Sequence, residues 1–200
     1  MKRKYLPLKN EYSKNRKEGK KVEEITREDV MAHAEDKEYL LKVAGDKETA
    51  PFIEFATEAL RNDKELVLKA VTSNGNALEF ASDRLKADKE VVLAAVQNAG
   101  WVACYASEEL RDDKEIILTA VKKEGQALYY ASEKLRDDRE VVLEAVKNKG
   151  LIYKYASKRL RADKELAIEA IRNDKRAYSY VVEELKEDES IKAVKEGNAE

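Results

Sequence analysis

From Leu66 onward the apolar positions follow a pattern that restarts every 25 residues. Each restart is a dense apolar run: LVLKAV at 66–71, VVLAAV at 91–96, IILTAV at 116–121, VVLEAV at 141–146 and LAIEAI at 166–171. A polar stretch follows and closes on Gly75, Gly100, Gly125 or Gly150. A sparser apolar set then ends at Leu85, Leu110, Leu135 or Leu160, and a charged string such as RDDKE leads into the next run. The units 66–90, 91–115, 116–140, 141–165 and 166–190 abut without a gap. A degenerate unit, 39–65, precedes them; it is two residues longer and holds Pro51. Agreement at this many positions marks a tandem repeat.

At 100° per residue the first run of each unit is apolar over more than half the circumference, which predicts a mostly buried helix. In the second set, Val102, Ala106 and Leu110 fall on one stripe, predicting a second helix. Asp63, Asp88, Asp113, Asp138, Asp163 and Asp188 stand just ahead of the runs, where a carboxylate takes up free backbone N–H groups. Glu90, Glu115, Glu140 and Glu165 add negative charge to the first turn. The glycines suit a left-handed residue after the helix. Lys175 replaces that glycine in the last unit, so a different turn is expected there, with Asn173 as substitute. The second helix is read as running from the glycine to the leucine. Its small pairs (Ala81/Ser82, Ala106/Ser107, Ala131/Ser132, Ala156/Ser157) permit close helix approach. ITREDVMAHA predicts one more helix with Thr26 as its cap, and a short helix is expected after Asp188. Helices of about 10–12 residues are marginal alone. They must stack to bury their apolar faces, so the expectation is an all-α fold, a right-handed α-solenoid of two-helix repeats over 25–200.

The string YASEELRDDKEIILTAVKKEG, with the wider pattern ASxxLRxDKEVVLxAV, resembles a helical repeat family known as domain of unknown function 4116. The resemblance covers 66–190 well and 39–65 loosely. It implies a tandem helical array and carries no catalytic or binding residues to transfer. The last unit departs from the pattern at Lys175, Val181, Val182 and Ser190, which reads as a terminal cap with a more polar exterior.

Charge and chemistry narrow the function. Charged residues make up 40% of the chain, yet 39 basic side chains face 41 acidic ones. That balance argues against a protein that is basic overall and built to coat nucleic acid. Residues 1–21 differ, with nine basic and two acidic side chains, and 1–24 are read as a flexible basic arm. Cys104 is the sole cysteine, which suits a reducing compartment. With no apolar leader at the start and no long apolar run, a cytoplasmic location is expected.

His33 is the only histidine, so paired-histidine metal sites are excluded, and no glycine-rich phosphate loop is present. A Cys104–His33 dyad would have to span about three repeats. The expectation is a non-catalytic protein with no cofactor and no metal.

Two ladders repeat from unit to unit. Arg61, Lys86, Arg111, Arg136 and Arg161, with Lys186, form a basic ladder readable as a phosphate track. The plainer reading is that they complement helix C-termini, with acids two and four residues on neutralising them. Phe55, Phe80, Tyr105, Tyr130, Tyr155 and Tyr180 form an aromatic ladder read as core-edge packing, because a ligand site needs differences between units. Differences do occur at the positions facing away from the core. These are Asn76, Glu79 and Asp83; then Trp101, Cys104 and Glu108; then Gln126, Tyr129 and Glu133; then Leu151, Lys154 and Lys158. Trp101, Tyr129 and Leu151 place large apolar groups where the repeat expects solvent, and are read as one row. The leading expectation is a protein-binding scaffold, of inhibitor or effector type, that uses Trp101, Cys104, Tyr129, Leu151 and Lys154. The alternative is a nucleic-acid binder that uses the basic arm and the ladder Arg61, Lys86, Arg111, Arg136 and Arg161.

Overall fold

A computed structural model describes residues 25–197; the basic arm, 1–24, lies outside the described residues. Every element among the described residues is helical. Long α-helices Lys64–Ser73, Lys89–Asn98, Lys114–Lys123, Arg139–Asn148 and Lys164–Asn173 stack side by side, each on the next. The expected caps are in place. Asp88 Oδ1 accepts from the backbone N–H groups of Glu90 and Val91, and Asp113 and Asp138 repeat this at Ile116 and Val141. At the N-terminal end the helix Arg27–Ala32 opens with a reciprocal box. Thr26 accepts from the Asp29 N–H, and the Asp29 carboxylate accepts from the Thr26 N–H. At the other end Asp188 caps the helix Glu189–Glu196, which closes on Gly197 at φ 85°.

The second helix of each repeat is not one helix. It begins as a 3₁₀ turn, at Gly75–Phe80, Gly100–Tyr105, Gly125–Tyr130, Gly150–Tyr155 and Lys175–Tyr180. The chain then extends at Ala81, Ala106, Ala131 and Ala156, with ψ of 152–154°. A short helix follows at Asp83–Lys86, Glu108–Arg111 and Glu133–Arg136; in the next unit it is reduced to 3₁₀ geometry at Leu160–Ala162. The alanine–serine pair is therefore a break. Ser82 Oγ accepts from the Leu85 N–H, and Ser107, Ser132 and Ser157 do likewise as caps of the short helical turn. The backbone N–H of the same serine donates to the previous repeat: Ser82 to Arg61 O, Ser107 to Lys86 O, Ser132 to Arg111 O and Ser157 to Arg136 O. A continuous α-helix would use those N–H groups internally, so the break joins neighbouring repeats.

The recurrent glycines also act across the seam. None of Gly75, Gly100, Gly125 and Gly150 has a positive φ, so the left-handed reading is corrected. The residue before each is extended, with φ between −141° and −150°. What glycine provides is room. A Cβ on Gly75, Gly100, Gly125 or Gly150 would lie 2.5, 2.3, 2.5 or 2.4 Å from the carbonyl oxygen of Ala95, Ala120, Ala145 or Ala170 in the next long helix. Lys175 takes this place in the last unit, where the turn is the same: Asp174 is extended at φ −148°. Asn173 is not a left-handed residue either. Its Oδ1 accepts from the Gly150 N–H at 2.6 Å, and its Nδ2 donates to Lys147 O at 2.9 Å. Asn148 does the same for Gly125 N–H and Lys122 O.

A row of cations also ties the repeats together. Lys37, Lys64, Lys89, Lys114, Arg139 and Lys164 each reach the helix-capping carboxylate of the following repeat, Asp63, Asp88, Asp113, Asp138, Asp163 and Asp188, at 2.7–2.8 Å. The core beneath is apolar throughout. Val91, Val92, Ala95 and Val96, and their counterparts in each unit, are fully buried. Each such valine or leucine contributes about 1.5–3 kcal/mol by leaving water. A sheltered long-helix layer thus leaves the 3₁₀ layer to carry the variable surface.

Candidate partner-binding face

A 3₁₀ helix has three residues per turn, so its second and fifth residues eclipse one another. The third and fourth residues, such as Val102 and Ala103, are buried. The second and fifth look outward and build two parallel columns along the solenoid. One column is Asn76, Trp101, Gln126, Leu151 and Arg176; the other is Glu79, Cys104, Tyr129, Lys154 and Ser179. The expected single row of Trp101, Tyr129 and Leu151 is therefore split, with Trp101 and Leu151 in the first column and Tyr129 in the second. Glu108, Glu133 and Lys158, grouped with them from sequence, belong to the separate short turn.

The columns meet at the seam between Gly125–Tyr130 and Gly150–Tyr155. A cavity of about 240 Å³ opens there, walled by Tyr129, Tyr130, Leu151, Ile152 and Tyr155. Gln126, Lys149 and Lys154 complete it. Tyr129 is 55% exposed, one of two large apolar side chains so placed among the described residues. It is held edge-on between two rings of the aromatic ladder, with centroids 5.1 Å from Tyr130 and 4.9 Å from Tyr155. Lys154 Nζ lies 4.8 Å from the centre of the Tyr155 ring. Tyr129, Leu151 and Lys154 thus converge.

Trp101 and Cys104 lie one seam away. Trp101 is half-buried, edge-on to Tyr105 at 5.7 Å. Burial, and then the Glu79 carboxylate, push the Cys104 thiol above its usual range, against the weaker pull of Arg111 and Lys86. That influence also shows that the basic ladder runs beside the second column.

The ladder itself differs from its expected setting. The acids expected to neutralise it, such as Asp113 and Glu115, are engaged by the cross-repeat row, here by Lys89. Arg111 keeps a 3.8 Å contact with Glu108. The Nε atoms of Arg61, Arg111, Arg136 and Arg161 are buried and find no hydrogen-bond partner among the described residues. Lys186, at the end of the ladder, pairs instead with Glu183 of its own short turn at 2.6 Å. Phe55, Phe80, Tyr105, Tyr155 and Tyr180 of the aromatic ladder, by contrast, pack part-buried against the core as expected.

Charge is uneven along the rod. The unit 141–165 carries seven basic side chains against three acidic, the unit 91–115 two against five, and the unit 166–190 four against seven. The unit 116–140, which supplies the other wall of the cavity, is balanced at five against five, so the cavity lies between a cationic unit and a neutral one.

Little else is arranged for chemistry. His33 stacks on Tyr39 at 4.2 Å and its Nδ1 meets Asp29 O, far along the chain from the 3₁₀ turn that holds Cys104. Among the described residues no three His, Cys, Asp or Glu side chains are grouped to hold a metal ion, and no helix is long and apolar enough to cross a membrane. No curated protein and no solved structure matches the chain. The family described as Domain of unknown function (DUF4116) matches three tandem segments, 36–86, 88–136 and 138–186, each spanning two of the 25-residue units. Helical repeats stacked seam on seam, and a match over most of its length, place the chain in that family.

Proposed function

We propose that the protein is a non-catalytic, protein-binding scaffold of the cytoplasm, which presents the outward columns of its 3₁₀ layer to a partner. The observation that carries the reading is the cavity at the 125–155 seam, where Tyr129 stands exposed beside Leu151 at positions that vary from unit to unit. Solenoids bind along such repeated faces, and a tyrosine already held by neighbouring rings loses little freedom on binding. The cavity is smaller than the roughly 300–1,000 Å³ of small-molecule sites, which favours a protruding side chain over a free metabolite.

The test is affinity capture with the full chain, its Tyr129→Ala/Leu151→Ala variant, and nuclease treatment of the lysate. A nuclease-resistant protein held by the parent and lost by the variant supports the scaffold. Equal capture by both proteins refutes it. A second reading, binding of nucleic acid along Arg61, Lys86, Arg111, Arg136 and Arg161, draws on the unpartnered Nε atoms. It predicts captured material that vanishes with nuclease and falls steeply with salt.

A further inference from the structure

We infer that the cavity at the 125–155 seam recognises a short acidic peptide segment. An aliphatic or aromatic side chain of the segment enters between Tyr129 and Leu151, and its flanking carboxylates meet Lys149 and Lys154. The inference rests on the scaffold reading and adds the chemistry of the partner.

Shape and charge each point the same way. The walls are apolar and aromatic, and the charged residues of the lining, Lys149 and Lys154, are both cationic. Asp174 is paired with Arg176 at 2.7 Å, which lowers its carboxyl, and Lys149 is close enough for its ammonium to help. Lys154 keeps its ammonium over the Tyr155 ring, 4.8 Å from the centroid, and no carboxylate among the described residues pairs with it. The register that sets Lys86 and Arg111 around Cys104 also sets Arg136 and Arg161 around Lys154, and their Nε atoms are unpartnered. The aromatic anchor and the two cations of the lining thus share one seam.

The neighbouring units limit the length of the ligand. A long polyanion lying along the rod would run past the balanced unit 116–140 onto 91–115, with five acids against two bases, or directly onto 166–190, with seven against four. Both repel it. A segment of a few acidic residues stays over the cationic unit. Peptide with an apolar anchor is therefore favoured over nucleic acid.

Fluorescence anisotropy on the full chain tests this, using labelled nonapeptides with a central Leu or Phe flanked by Glu, and counterparts with a central Ala or with flanking Lys. A labelled oligothymidine is the fourth probe. The Glu-flanked Leu or Phe peptides should bind, and weaken by about tenfold or more with an Ala centre or Lys flanks. Lys149→Glu/Lys154→Glu and Tyr129→Ala should each weaken them comparably. Lys122→Glu, on the exposed side of a long helix, should not. Circular dichroism establishes that each variant is folded. Equal binding of Lys-flanked peptides, still lost with Tyr129→Ala, overturns the acidic ligand and leaves the scaffold standing. Peptide binding that ignores Tyr129 overturns the site, as does binding to none of the peptides. Tighter, anchor-independent binding of oligothymidine replaces the peptide with a polyanion.

Discussion

Adding one methyl group at Gly125 tests the account of how the repeats meet. Removing a glycine usually stabilises a protein by about 0.4–1 kcal/mol when the native backbone tolerates a side chain, because the unfolded chain loses freedom. Gly125 has an ordinary backbone, so that gain is available. Against it stands a Cβ placed 2.5 Å from Ala145 O, a backbone atom of the adjacent long helix, and 3.2 Å from Asn148 Cβ. Forced contacts of this kind cost about 1–3 kcal/mol, and the separation that relieves them also strains the 2.7 Å bond from Gly125 N–H to Asn148 Oδ1, worth about 1 kcal/mol. Gly125→Ala should therefore destabilise by about 1–3 kcal/mol net. Gly45 is the control. A Cβ there meets the Lys69 Cε at 3.1 Å, the far end of a flexible side chain, so Gly45→Ala should be neutral or mildly stabilising. Urea unfolding followed by far-ultraviolet circular dichroism measures both variants. Stabilisation by Gly125→Ala, or equal effects at the two glycines, would refute the close-approach argument.

Two further outcomes follow from the charges. Burial raises the carboxyls of Asp63, Asp88, Asp113, Asp138 and Asp163, but the cross-repeat cations and capped N–H groups outweigh it and hold them below 3.8. A depressed folded pKa stabilises above the unfolded value and is lost as pH falls through the folded one. The melting temperature should thus hold steady down to about pH 5 and fall below about pH 4; a rise on acidification would contradict this. Cys104, with its thiol pushed up by burial, should react with iodoacetamide at neutral pH more slowly than an unfolded control; equal rates would contradict its placement.

The repeat, the caps at Asp88 and its counterparts, and the Thr26–Asp29 box were legible because each is a local pattern. The glycine was misread because a glycine after a helix commonly marks a left-handed turn, whereas its role here depends on the carbonyl of another repeat. The break at Ala81–Ser82 had a signal: Ser82, Ser107 and Ser132 each precede an acidic residue, the signature of a fresh helix start. It was passed over because alanine favours helix and the stripe continued across it. The cation row was visible too, since Lys64, Lys89 and Lys114 recur one residue after each cap. Within the candidate site, exposed Tyr129 was found from sequence; Leu151, expected to face solvent, is part-buried. The cavity was not found, because Tyr130, Ile152 and Tyr155 look like ordinary core positions until the seam is assembled.

The glycine seam also bears on how such a chain can change length through recombination. The four seams at Gly75, Gly100, Gly125 and Gly150 present the same atoms: a bare glycine, an alanine carbonyl, and a cation reaching a capping aspartate. Excising 91–115 would bring Gly75 against Ala120 and Lys89 against Asp138, partners of the same kind as those lost. A deletion of 24 or 26 residues would set a side chain where only glycine fits. Genetic gain and loss is therefore quantised in modules of 25 residues, and every module added lengthens the outward columns by one position without disturbing those already there.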